Sequence, residues 1–154
     1  MTSVARLLAA LGLAVTCAGP ALAGPDDQPK SPALDAAAVK AKLVGNTLVG
    51  NFGVYWSVLE AHADPGGALK LHIFTKGAIE NDDRRETGKW WLDGAKICIK
   101  TVNIDFGSSD CFAVHDDAGT VRLVYTACTA VSSNNCKTGR VGFEGKIVTG
   151  DAVK

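Results

Sequence analysis

From Thr47 to Thr149 the chain reads as short runs rich in Val, Ile, Tyr, Trp and Thr, separated by Gly, Asp and Asn clusters. The clusters recur about every ten residues, the spacing of turns in an all-β barrel or sandwich. The pattern predicts strands over Thr47–Phe52, Val54–Ala61, Ala68–Thr75, Glu86–Leu92, Lys96–Thr101, Cys111–His115, Val121–Ala127 and Val141–Thr149. Asp64-Pro65-Gly66-Gly67, Asp93-Gly94 and Asp116-Asp117-Ala118-Gly119 are the clearest turns. Ahead of the strands, Ser31-Pro32 and a run of helix formers ending at Gly45 predict one helix, with Ser31 as N-cap and proline at the first helical position. Leu34, Ala38, Ala41 and Leu43 would share its inner face and lie across one end of the core. The expected fold is mainly β, a small antiparallel β-barrel of about eight strands with one short N-terminal helix.

The segment from Gly88 to Cys98 sharpens that expectation. A two-residue turn at Asp93-Gly94 would set Trp91 opposite Lys96 and Trp90 opposite Ile97. Trp90, Leu92, Ile97 and Ile99 then fall on an apolar face, and Lys89, Trp91, Lys96, Cys98 and Lys100 on a mostly charged one. Trp90 is the expected core anchor. Trp91 with Lys96 is the candidate binding surface, and a cation–π packing pair is the alternative.

The first residues have the three parts of a secretory signal peptide: Arg6, an apolar run from Leu7 to Val15, and Ala-Gly-Pro-Ala-Leu-Ala ending at Ala23. The expected organisation is a signal peptide at 1–23, a flexible tether at 24–30 and a single domain at 31–154, periplasmic or secreted after cleavage near Ala23. Lipidation at Cys17 is disfavoured by the preceding Thr16. The apolar run is shorter than the ~20 residues of a membrane span, so no transmembrane segment is expected.

Beyond the leader stand Cys98, Cys111, Cys128 and Cys136, an even number that reads as two disulfides in an exported chain. The local pairing, Cys98 with Cys111 and Cys128 with Cys136, is favoured because adjacent strands bring sequence neighbours within reach. The other two connectivities stay open. With 16 basic and 16 acidic residues the chain has no basic footprint for nucleic acid.

Leu43-Val44-Gly45-Asn46-Thr47, Gly88-Lys89-Trp90, Cys98 and Cys111 together resemble a group of small exported proteobacterial proteins of unknown function. These share a short helix, a Leu-x-Gly-Asn-Thr-like step, a Gly-x-Trp and two cysteines. The resemblance implies a lipocalin-like or avidin-like small barrel in outline and brings no activity with it. Cys128 and Cys136 depart from the group's pattern.

No catalytic, cofactor or metal signature emerges. The expected β-hairpin around Asp64–Gly67 places His62 near Ala68 and His72 near Val58, with His115 on a later strand, which does not converge three zinc ligands. Ser108, Ser109, Ser132 and Ser133 lie in Gly- or Asn-rich stretches without a nucleophile elbow. The run from Glu80 to Glu86 lacks calcium-loop spacing and is expected to be a solvated hairpin tip. Gly45, Gly50 and Gly53 flank strands, where they permit bends. The expected function is non-enzymatic: a binding module for a small apolar molecule or a peptide, the habit of small barrels. Alternatives are an envelope structural or inhibitor-like module that recognises an envelope protein near Trp91, and a hydrolase assembled around His115.

Overall fold

The computed structural model describes residues 28–52, 57–76, 81–101, 109–128 and 137–153. One helix, α1 (Ala36–Leu43), precedes eight strands: β1 (Thr47–Phe52), β2 (Ser57–Ala63), β3 (Ala68–Lys76), β4 (Asn81–Asp93), β5 (Lys96–Thr101), β6 (Ser109–Asp117), β7 (Thr120–Cys128) and β8 (Val141–Val148). Each strand pairs antiparallel with its sequence neighbour, and β1 pairs with β8, so the sheet closes into an up-and-down barrel. Closure leaves no sheet edge to template aggregation.

Period-two alternation fills the interior. On β6, residues Ser109 to Val114 alternate between half-buried and buried. Leu69, Leu71, Ile73, Ile97, Phe112, Val114 and Phe143 converge in one apolar core. The β1–β8 seam depends on Gly50 and Gly145, which are register partners. A Cβ on Gly50 would sit 2.1 Å from the Glu144 carbonyl oxygen, and one on Gly145 2.3 Å from that of Val49, so neither position admits a side chain.

Asp35, not Ser31, caps α1: its Oδ1 accepts from the Ala38 N–H at 2.8 Å. Ser31 and Pro32 precede a strand-like contact in which Ala33 bridges His115 and the Leu34 N–H donates to the Val114 carbonyl at 2.8 Å. The reason lies in β6, whose pairing with β5 ends at Ala113, so the Val114 carbonyl needs another donor. The buried helical positions are Val39 and Leu43, one turn apart, whereas Ala41 is exposed. Both join the core, so α1 closes the end of the barrel where β1 begins.

Three further details of the sequence reading are corrected. The β4–β5 turn is centred on Gly94-Ala95, with Asp93 opposite Lys96. Gly94 takes φ 60°, which places the glycine first in the turn, as type II′ hairpins require. Trp91 therefore faces Cys98 and Trp90 faces Ile99; the expected Trp91–Lys96 pair does not form. In the β2–β3 hairpin the Asp64 N–H bonds the Ala68 carbonyl at 2.9 Å, drawing Ala63 opposite Leu69. His62 then lies opposite Lys70 and His72 opposite Glu60. Finally, residues 81–85 belong to β4, paired with β3, and are not a hairpin tip. Asp83 there receives His72 Nε2 at 2.8 Å and Arg85 Nη1 at 3.4 Å, so these polar residues partner one another within the sheet.

Candidate functional site: the barrel lumen beneath the helix

Inward-pointing residues leave a cavity of about 50 Å³ inside the barrel, lined by Leu43, Ala61, Leu71, Ile97, Phe112 and Phe143 among others. Asn46 is its one polar lining residue among those described. Strand alternation aims the lining side chains at a common axis, and α1 supplies Leu43 to the end wall. Trp90 closes the same end by a different means. It packs against the core, donates from Nε1 to the Asp64 carbonyl at 2.8 Å, and its backbone N–H bonds the Gly67 carbonyl at 3.0 Å.

The inner face is not uniformly apolar. Thr101 and Asp110 are buried near the opposite end, at register positions beside Gly88 and Ile99, and Glu86 is buried midway, beside Leu71. The lumen thus passes from hydrocarbon at the helix end to oxygen-bearing side chains further along.

Outside the barrel, both chain segments that flank it are pinned by polar contacts. The Asp117 carboxylate accepts from the Lys30 N–H at 3.0 Å and the Ser31 N–H at 2.7 Å, and it pairs with Arg122. The Ser31 hydroxyl beside it, the two backbone donors and the Arg122 guanidinium hold the Asp117 carboxyl well below the usual carboxylate range. The two backbone amides and Arg122 set the geometry of the anchor. Arg122 Nε also bonds Glu144 Oε2 at 2.7 Å, its register partner on β8. At the other terminus, Thr47 Oγ1 donates to the Gly150 carbonyl at 2.7 Å and accepts from the Ala152 N–H at 2.9 Å, while Lys70 pairs with Asp151.

Two of the three histidines serve these braces. His62 Nδ1 donates to the Asn46 carbonyl at 3.0 Å, and His115 Nδ1 to the Ser31 carbonyl at 2.9 Å. Among the described residues, no three His, Cys, Asp or Glu side chains are grouped to hold a metal. No described helix is long and apolar enough to cross a membrane.

Of the residues singled out from sequence, Cys98 and Cys111 are brought together as direct register partners on β5 and β6, in a disulfide closing 13 residues. The expected Cys128–Cys136 bridge lies outside the described residues. Trp91 is 40% exposed on the outer face of β4. Lys96 stands 3.9 Å from Asp93, its own cross-strand partner, and not opposite Trp91. Sequence reasoning missed the Asp117–Arg122–Glu144 cluster. Its signal was a lone arginine in the run Val121-Arg122-Leu123, facing away from the apolar side of β7.

A closed eight-stranded antiparallel barrel with a helix across one end defines the class. Compared with known family models, curated proteins and solved structures, the chain matches none.

Proposed function

We propose that this protein is an exported, non-enzymatic binding module whose barrel lumen holds the narrow apolar end of a small molecule. The observation that supports this reading is the space of about 50 Å³ in the barrel core, walled by hydrocarbon apart from Asn46. Protein interiors leave few voids larger than a water, and a space without polar partners stays dry and takes apolar guests. Complete drug-sized ligands occupy pockets of roughly 300–1,000 Å³, so the lumen would grip only a slender terminus while the remainder of the molecule lies beyond it. The polar residues further along the inner face suit a guest with an apolar tip and a polar body. An oxidising compartment, periplasmic or extracellular, accords with the Cys98–Cys111 bond.

Native mass spectrometry of protein purified from the cells that make it should show a retained mass. Xenon or short alkanes should shift the NMR methyl signals of Leu71, Ile97 and Ile99. An empty native spectrum together with silent methyls would sink the proposal.

A further inference from the structure

The outer face of β4 and β5 carries an arrangement that the lumen does not use. Lys89 and Lys100 are direct register partners. Like charges opposite each other across a sheet repel, so this pair works against the fold that contains it. Ion pairs elsewhere on the barrel include Lys42–Asp116, Lys70–Asp151, Lys96–Asp93 and the two made by Arg122. Among the described residues, neither Lys89 nor Lys100 has an ion-pair partner.

Two residues along the same face of β4 stands Trp91, 40% exposed. Its cross-strand partner Cys98 is fully buried and bonded to Cys111, so the strand beneath the indole is covalently fixed to β6. Tryptophan is enriched among interface hot spots, and a strand already tied to its neighbour adds no backbone ordering cost on binding. An open groove of about 330 Å³ adjoins the lysines, bordered by Thr87, Gly88 and Thr101.

We propose that this face docks an acidic segment of a partner protein, which sets a carboxylate between Lys89 and Lys100 and lays an apolar side chain on Trp91. A carboxylate there relieves the lysine repulsion and gains two charge-assisted hydrogen bonds, while the indole supplies the dehydrated centre. An anionic membrane is the poorer fit. Surface anchoring buries a broad apolar face, yet among the described residues the other large exposed hydrophobic, Val148, lies on β8, four strands away around the ring. The docking face is independent of the lumen reading.

The test is zero-length carbodiimide cross-linking, which joins a lysine amine to a carboxylate only in contact, applied to the full chain in cells that make it and mapped by mass spectrometry. The expected result is amide links from Lys89 or Lys100 to Asp or Glu of one protein. Their yield should fall roughly 10-fold or more in Trp91→Ala, and co-purification of the same protein should fall by as much in Lys89→Gln/Lys100→Gln. The double lysine variant should keep or raise the urea midpoint of the wild type, which separates lost docking from lost folding. Links spread evenly over Lys40, Lys137 and Lys146, or yields unchanged in the variants, overturn the proposal. So does lysine-dependent co-sedimentation with phosphatidylglycerol vesicles in the absence of any protein link.

Discussion

Ala61→Val is the most direct perturbation of the lumen. Ala61 lies on β2 between Leu48 of β1 and Leu71 of β3, and it lines the cavity. The two added carbons match the vacant space of about 50 Å³. At about 24 cal/mol per Å³, eliminating that volume is worth about 1.2 kcal/mol. Valine also suits a strand, so no backbone cost offsets the gain. For a domain of this size, about 1 kcal/mol moves Tm by about 4 °C. Urea unfolding should show a higher midpoint at unchanged slope, and the xenon-induced methyl shifts should vanish together with any retained ligand. A lower midpoint at the same slope would mean that the space beside Ala61 is already filled, and the lumen reading would fall. A higher midpoint with undiminished ligand would place the guest elsewhere.

Arg122→Ala should destabilise by roughly 3 kcal/mol in urea unfolding, because it strands Glu144 and Asp117 beside each other without their shared cation; a loss below about 0.5 kcal/mol would show the cluster to be a surface ornament. Asp117 has a folded-state pKa depressed below its unfolded value, so its contribution is complete above the unfolded value of about 3.9 and is lost as pH falls through the folded one. The stabilities of the wild type and Asp117→Asn should therefore differ by a constant amount from pH 7 to about 4 and draw together as the pH falls on to 2, and parallel curves throughout would contradict the anchor. Replacing both Cys98 and Cys111 by alanine should cost about 3 kcal/mol, as expected for a closed loop of this length. Equal urea midpoints with and without reductant would show that the bond contributes nothing.

Much of the fold was legible because it follows from local periodicity. The β3, β5 and β8 strands were expected within a residue or two of where they lie, since alternating apolar residues bounded by Gly and Asp clusters admit little else. Register was less legible. Asp93-Gly94 and Gly94-Ala95 are both acceptable turn dipeptides on composition, and only the φ of Gly94 and the closing bonds select between them. That one-residue difference moved Lys96 away from Trp91 and brought Lys89 and Lys100 into register. The N-cap of α1 was misassigned for a similar reason: Ser31 and Asp35 are equally good caps, and the unsatisfied Val114 carbonyl of a distant strand claimed the intervening residues.

By itself the sequence determined an antiparallel β architecture, one short helix and the inward role of Trp90, and it favoured Cys98 with Cys111 without excluding the other pairings, because each depends on spacing among near neighbours. Only the tertiary structure decided that the sheet closes through Gly50 and Gly145, that Val39 and Leu43 seal one end, and that a small apolar space survives among the core side chains. Closure and residual volume depend on how eight strands meet at once, and no periodicity along one strand contains that sum. Trp91 shows the division in a single residue: its alternation placed it outside, and the register alone set it over a disulfide beside two lysines in direct register.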